Sequence, residues 1–198
     1  MKVLAFSDIH GNLEILKLLQ EKSKIAEINI CAGDISSMSR NLIILMKRLN
    51  SLKNKTLLIP GNHENEDELK AASKNFENIL FLHKGVHIIN KNIFMGYGGG
   101  GFSMNDDGFS LVADNFFKKQ SLSEMKRSVL VTHAPPFKTG LDKIMGEHRG
   151  NKSIRKFIDE TSPHLAISGH FHENAGKTDQ IGKTLLMNPG PKGMFVNL

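Results

Sequence analysis

Short apolar segments alternate with helical ones through the first part of the sequence, and this alternation restricts the folds open to the chain. Apolar runs that suit buried strands cover residues 3–6, 28–32 and 56–59. Apolar residues recur at helical spacing after Asn12, a residue suited to cap a helix, and again over residues 41–49. An acidic helix is predicted from about residue 64 to residue 74. This βαβα order predicts a largely parallel sheet covered by helices.

The rest of the sequence predicts shorter strands and fewer helices. Strands are predicted at residues 79–82, 85–90, 92–97, 128–131 and 165–167, with two more between residues 183 and 198. Helices are predicted over residues 110–127 and 153–160, and residues 134–150 form a long irregular segment. No repeat, low-complexity tract or linker divides the sequence. We therefore expect an α/β fold in a single domain of residues 1–198.

Side chains that can bind metals follow most of the predicted strands. Each group comes directly after a Ser, Gly or Thr at the carboxyl end of an apolar run. The residues are Asp8, His10, Asp34, Asn62, His63, His133, His170 and His172. In α/β sheets, functional sites assemble outside the carboxyl ends of parallel strands. The sequence therefore predicts that these residues, far apart along the chain, converge on one edge.

The residue types in this set indicate one kind of chemistry. Carboxylate, imidazole and amide oxygen donors suit Mn²⁺, Fe, Co, Ni or Zn²⁺, and the set is too large for one tetrahedral ion. The Asp-x-His and His-x-His spacings place alternate side chains on the same side of an extended chain. A single Gly-Asp pair or a lone His after a strand usually belongs to a turn or a cap. The ordered series, with each member at a strand end, predicts a metal site.

The same series resembles the calcineurin-like metallophosphoesterase superfamily. The resemblance rests on Asp8-x-His10, Gly33-Asp34, Gly61-Asn62-His63, His133 and Gly169-His170-x-His172, which run through nearly the whole chain. It implies a four-layer αββα sandwich with mixed sheets and a site at the strand ends. The absence of capping-domain sequence makes the chain similar to the small, single-domain phosphoesterase branch.

The resemblance also implies a role for each residue. Asp8, His10 and His172 would hold one divalent ion, and Asn62, His133 and His170 would hold another. Asp34 would bridge the two ions, and His63 would be the catalytic histidine that is not a ligand. A hydroxide between the ions would then attack phosphorus, so the chain is expected to be a metal-dependent phosphoric ester hydrolase. We expect two divalent ions, Mn²⁺ before Fe, Ni, Co or Zn²⁺.

Departures from the better-known branches narrow this expectation. Protein Ser/Thr phosphatases carry Gly-Asp-x-Val-Asp-Arg-Gly, whereas this chain has Gly33-Asp34-Ile35-Ser36-Ser37. The small branch acts on phosphodiesters, phosphomonoesters or cyclic nucleotides, and all three remain open. Two other functions are alternatives to the hydrolysis of a small phosphate ester. One is a binding scaffold on the same fold, against which the presence of His63 and every ligand argues. The other is a nucleic-acid processing nuclease.

The nuclease alternative rests on a formal net charge of +6. The lysines are spread along the chain and mixed with acidic residues, so a basic surface is favoured over a dedicated nucleic-acid face. The expected partner is a small anionic phosphate ester. The single Cys31 excludes an internal disulfide and a cysteine-based zinc site. No apolar run approaches the ~20 residues that span a bilayer, and the N-terminus is too short for a signal peptide, so we expect a cytoplasmic protein without membrane partners.

Two further features of the sequence each allow two interpretations. The segment 134–150 ends in His148-Arg149-Gly150, where Arg149 and His148 are candidates to bind a substrate phosphate or to form a solvated loop pair. The four glycines at 98–101 could let the backbone pass close to a substrate, although a plain bulge and turn is favoured.

Overall fold

Two large sheets carry most of the strands in this computed structural model, which describes residues 1–118 and 127–198. The helices are α1 (Leu13–Ser23), α2 (Leu42–Asn50), α3 (Glu66–Ser73), α4 (Asp107–Lys118) and α5 (Lys152–Thr161). The strands of the first half are β1 (Lys2–Phe6), β2 (Ile28–Cys31), β3 (Thr56–Leu58), β4 (Ile79–Phe81), β5 (Gly85–Ile89) and β6 (Asn92–Tyr97). Those of the second half are β7 (Arg127–Thr132), β8 (Lys143–Ile144), β9 (Glu147–His148), β10 (Leu165–Ile167), β11 (Lys177–Ile181), β12 (Thr184–Asn188) and β13 (Met194–Asn197).

Both sheets are mixed, with parallel strands at their centres. The first sheet has the order β13-β1-β2-β3-β4, in which β1 to β4 run parallel and β13 pairs antiparallel with β1. The second sheet has the order β11-β12-β10-β7-β6-β5. Its inner strands β6, β7, β10 and β12 are parallel, and β5 and β11 close the edges as antiparallel strands. Strands β8 and β9 form a separate small hairpin.

Three apolar layers show how the sheets and helices stack. On β1, Leu4 and Phe6 pack with residues of α1 to α3, whereas Val3 and Ala5 pack against the second sheet. This alternation follows from the two-residue period of a strand, which points successive side chains to opposite faces. A third layer joins the outer face of the second sheet to α4 and α5. The four-layer αββα sandwich predicted from the sequence is therefore confirmed.

Asparagine caps set the starts of three helices. The side chain of Asn12 accepts hydrogen bonds from the first turn of α1, as predicted, and Asn65 and Asn151 do the same for α3 and α5. The predicted start of α3 at residue 64 is wrong, because Glu64 turns into the neighbouring loops and Asn65 caps the helix instead. Among the described residues, no helix is both long and apolar enough to cross a membrane.

Two predicted boundaries of α4 also differ from the structure. The helix begins at Asp107 rather than at residue 110, and it is described as far as Lys118. Residues 119–126 of the predicted helix lie outside the described residues. Arg127, predicted as its last residue, instead begins β7, where it pairs with Asn92 of β6.

Candidate metal centre

The loops that follow β1, β2, β3, β7 and β10 meet at one edge of the sandwich. Strands of the first sheet deliver Asp8, His10, Asp34, Asn62 and His63, and strands of the second deliver His133, His170 and His172. Three clusters of potential ligand atoms form there, and within each the atoms lie within 4.8 Å of one another. The clusters are Asp8–His10–His172, His10–Asp34–His63 and Asp34–His133–His170.

The Asp8–His10–His172 cluster joins β1 to the end of β10. The Nε2 atoms of His10 and His172 lie 3.1 Å apart, and Nε2 of His172 is 3.7 Å from Oδ1 of Asp8. The carboxylate is held in place because the hydroxyl of Ser7 and the backbone N–H of His170 both donate to it. Two imidazole nitrogens and a carboxylate oxygen facing one another at these distances can share one cation.

The Asp34–His133–His170 cluster is arranged around His133, which is fully buried. Its Nδ1 lies 2.8 Å from the carbonyl oxygen of Ala32 and donates to it, so Nε2 faces the site. That atom is 3.0 Å from Oδ1 of Asn62 and 3.3 Å from Oδ2 of Asp34. Burial lowers the pKa of His133, but the hydrogen bond and charge of Asp34 outweigh burial and raise it. The negative charge of Asp34 thus favours a cation beside this ring.

Asp34 lies between these two clusters and connects them. Its Oδ2 lies 3.3 Å from Nε2 of His133 and 3.7 Å from Nε2 of His10. Its Oδ1 accepts a hydrogen bond from the backbone N–H of His63 at 2.9 Å. Burial raises the pKa of this carboxyl, yet the hydrogen bond and charge of His133 and the N–H of His63 lower it overall. Asp34 is thus held ionised between two groups of nitrogen ligands.

Two ring nitrogens in the site are buried without a hydrogen-bond partner among the described residues. These atoms are Nε2 of His170 and Nδ1 of His63. Burial, aided by the charge of His133, lowers the pKa of His170 to about 4, so its ring is neutral at physiological pH. A neutral imidazole with a lone pair and no partner is the form that binds a metal. The donor set therefore fits divalent ions.

Backbone strain is concentrated at the same residues. Asp8, His10, Asp34 and His170 all adopt positive φ angles, between 47° and 68°, in the left-handed region. Non-glycine residues enter this region rarely, and such strain is typical of functional sites. The surrounding contacts must hold these turns in place.

Two glycines allow the loops to come close to the carboxylates. A Cβ atom at Gly61 would lie 1.9 Å from Oδ1 of Asp34, and one at Gly169 would lie 2.7 Å from Oδ2 of Asp8. Any side chain at either position would push the carboxylate away. The Gly residues before Asn62 and His170 are thus explained by close approach.

Glu64 organises the loops beneath the site, and the sequence did not indicate this role. Its Oε2 accepts hydrogen bonds from the backbone N–H groups of Asp34 and Gly61, both at 2.9 Å. Its Oε1 accepts from the N–H and the hydroxyl of Ser36, at 2.9 and 2.7 Å. A buried carboxylate therefore ties the loop after β2 to the loop after β3.

A cavity of about 360 Å³ opens over the clusters. Its lining consists of Asp34, Asn62, His63, Phe102, Ile144, His170, Phe171, His172 and Glu173. Phe102 follows the four-glycine run, and Ile144 lies on the β8–β9 hairpin, so both come from segments whose role the sequence left open. A larger groove of about 650 Å³ lies between α2 and α3, but none of the predicted site residues lines it.

His148 and Arg149 lie apart from this cavity. Nδ1 of His148 is 2.6 Å from the buried carboxylate of Asp142, and the Arg149 guanidinium pairs with Glu147 at the surface. Neither is among the described residues that line the cavity. Their predicted contact with a substrate phosphate stays a prediction.

Comparisons with known proteins show which family the sequence matches. The sequence profile of the family described as calcineurin-like phosphoesterase matches residues 1–174. The uncharacterized protein MJ1162 of Methanocaldococcus jannaschii is 30% identical over an alignment of 210 residues, which covers 99% of this chain and 91% of the relative.

Solved structures share the fold. TT1561 of Thermus thermophilus superposes with a TM-score of 0.76 at 17% identity, covering 96% of this chain and 90% of that one. A structure described as a novel archaeal phosphodiesterase superposes with a TM-score of 0.57 at 18% identity, covering 96% and 84%. At these identities the likeness shows the fold alone, whereas the family profile covers most of the chain. The chain belongs to the calcineurin-like phosphoesterase family and is a hydrolase of phosphate esters.

Proposed function

We propose that the chain hydrolyses phosphodiesters at a centre of two divalent ions. In this proposal Asp8, His10 and His172 hold one ion, Asn62, His133 and His170 hold the other, and Asp34 contacts both. The observation that carries the proposal is the position of Asp34, with one carboxylate oxygen 3.7 Å from His10 and 3.3 Å from His133. A carboxylate placed between two sets of nitrogen ligands is suited to bridge two cations and to offset their repulsion.

The donor set favours a borderline divalent ion. Oxygen and imidazole nitrogen donors are present in similar numbers, and the described site contains no thiolate, since Cys31 is buried in the apolar layer beneath α2. We propose Mn²⁺ on this basis. When bound, the ions would supply a water that is acidic near neutral pH and positive charge against the phosphoryl oxygens.

His63 is proposed to move the proton that the leaving group needs. It lines the cavity, and its ring packs edge-on against that of His10 with 4.8 Å between centroids. Water attacks phosphorus and gives up a proton to solvent, the ester P–O bond breaks, and the leaving oxygen takes a proton from the protonated ring of His63, which solvent then reprotonates. An imidazole suits this task because its ordinary pKa lies close to physiological pH.

The charges around the cavity favour a diester over a monoester. Among the described residues that line it, Glu173 adds a carboxylate to that of Asp34, and no Lys or Arg is present. A monoester dianion or a polyphosphate would find no cationic side chain to balance its extra charge, whereas a diester carries one negative charge.

A substrate panel tests this proposal. Bis-p-nitrophenyl phosphate, p-nitrophenyl phosphate and cyclic nucleotides would each be assayed with Mn²⁺, Fe²⁺, Co²⁺, Ni²⁺ and Zn²⁺. We expect a higher kcat/KM for the diester than for the monoester, with Mn²⁺ among the activating ions, and loss of activity in excess chelator. A clear preference for the monoester would refute the diester assignment, and full activity without metal would refute the metal centre.

A further inference from the structure

Phe102 is a large aromatic side chain left in solvent beside a candidate ligand. It is 69% exposed. Its ring lies 4.6 Å from the ring of His170, and it stacks on buried Phe171 with 5.7 Å between centroids and 25° between planes. One part of the ring is therefore packed and the rest is free to contact a molecule in the cavity. Exposed aromatic rings next to a polar site commonly serve in binding.

Hydrogen bonds on both sides fix the loop that carries Phe102. The backbone N–H of Gly99 donates to the carbonyl of Pro60 at 3.0 Å, just before the turn that contains Asn62. On the other side, the N–H of Lys152 donates to the carbonyl of Met104 at 2.7 Å. The ring is thus placed at the cavity mouth by the fold, which lowers the entropy cost of using it for binding.

The ring continues an apolar wall of the cavity. Phe102, Phe171 and Ile144 supply this wall, which adjoins the polar edge of clustered histidines and carboxylates at His170, whose ring lies 4.6 Å from that of Phe102 and 4.8 Å from that of Phe171. A substrate with its phosphate at the polar edge would place an ester arm along the apolar wall. A flat ring fits such a wall best, because its face stacks on an aromatic side chain without needing hydrogen bonds.

The positions of Phe102 and His63 decide which ester arm this is. His63 contacts His10, a member of the Asp8–His10–His172 cluster, and shares a third cluster with His10 and Asp34. Phe102 contacts His170, in the Asp34–His133–His170 cluster. If His63 protonates the leaving oxygen, the leaving group lies toward His10, and the arm beside Phe102 is the one that stays on the phosphate.

We propose that Phe102 determines substrate specificity by stacking on a planar ring in the retained ester arm, so that the preferred substrates are diesters of nucleosides. This inference rests on the proposed function. It names the group that the chain recognises beyond the phosphate, and it assigns that recognition to one side chain.

Two diesters with the same leaving group separate stacking from chemistry. Thymidine 5′-(4-nitrophenyl phosphate) retains a nucleobase after hydrolysis, and ethyl 4-nitrophenyl phosphate retains only an alkyl group. Both would be assayed with the Mn²⁺-loaded full chain. Phe102→Ala should lower kcat/KM for the thymidine diester by about 10-fold or more, mainly through KM, because removing one stacking aromatic typically weakens binding by about 5- to 150-fold. The loss for the ethyl diester should be smaller, because an ethyl group offers no planar face to stack on Phe102.

Matched variants control for folding and for simple loss of apolar surface. Leu111→Ala removes an equally exposed apolar side chain on α4, at 69% exposure, and should leave both substrates unaffected. Phe102→Trp should keep the preference for thymidine, and Phe102→Leu should lose most of it. Calorimetry supplies a readout without turnover: thymidine 5′-monophosphate should bind Phe102→Ala more weakly than it binds the wild-type protein, and the loss for ethyl phosphate should be smaller.

The outcomes separate this inference from the function on which it rests. Equal effects of Phe102→Ala on the two diesters, or retention of the preference in Phe102→Leu, would overturn the stacking role while leaving the phosphodiesterase proposal intact. Hydrolysis of neither diester under any metal would overturn the proposed function and this inference with it.

Discussion

Replacing the Glu64 carboxylate by an amide should weaken the contacts that hold the loops carrying Asp34 and Asn62 in place. The two oxygens of Glu64 accept four hydrogen bonds, from the N–H groups of Asp34, Gly61 and Ser36 and from the Ser36 hydroxyl. In Glu64→Gln one oxygen becomes an NH₂ group. The Ser36 hydroxyl can reverse and accept from it, but at least one buried N–H loses its acceptor.

The magnitude follows from those contacts. An unsatisfied buried donor costs about 1–3 kcal/mol, and the bonds that remain lose the extra strength of a charged acceptor. We expect the free energy of unfolding to fall by about 3 kcal/mol. Because Asp34 and Asn62 lie on the two loops that Glu64 joins, metal affinity should also fall, by about the 10–100-fold that losing a supporting contact to a ligand typically costs.

Urea unfolding and metal titration by calorimetry measure both effects. Glu68→Gln is the matched control, since Glu68 is exposed on α3 only four residues along the chain. That variant should lose less than about 1 kcal/mol, the scale of a charge near a helix start. The reasoning is refuted if Glu64→Gln unfolds at the same urea concentration as Glu68→Gln and binds metal equally well.

Three further predictions concern single residues. Asp34→Asn should lower kcat/KM by more than about 10–100-fold, and by more than the change of any one histidine ligand. Asp67→Asn, a change at an exposed position of α3, should leave kcat/KM and metal content unchanged. His63→Ala should lower kcat by about 10²–10⁴-fold on alkyl esters and less on p-nitrophenyl esters, with metal content unchanged; equal losses on both would exclude a proton donor. Burial lowers the pKa of His83 from 6.5 to about 4 in the folded chain. As the pH falls, the unfolded chain therefore binds a proton at His83 before the folded chain does, and this favours unfolding. Stability should therefore drop between about pH 6.5 and pH 4, by about 2 kcal/mol at pH 5, and urea unfolding of His83→Asn, which keeps an acceptor for Gly98, should lack that part of the loss.

The sequence predicted the parts of the fold that depend on local pattern. Apolar runs and helical spacing gave the central strands and α1, α2 and α5 to within a few residues, because those elements are buried on both faces or on one stripe. Strand β11 was missed because it is a polar edge strand, Lys-Thr-Asp-Gln-Ile, whose only pairing among the described strands is with β12. The β8–β9 hairpin was missed because its strands are two residues long.

The candidate ligands could be predicted because each follows a strand, and parallel strands bring their ends together. Glu64, Phe102 and Ile144 carried no comparable signal. The role of Glu64 depends on two loops that approach each other only in the folded chain. In the sequence, a glutamate at this position ordinarily indicates the first turn of a helix. Phe102 and Ile144 reach the cavity through two loops whose paths depend on tertiary contacts.

The number of metal ions needed for hydrolysis tests the central claim most directly. Protein stripped with chelator would be titrated with Mn²⁺ while bound metal per chain and diester hydrolysis are measured on the same samples. The two-ion centre predicts that activity rises to its full value only as the second ion per chain is bound. Full activity with one ion per chain, or with none in excess chelator, would contradict it.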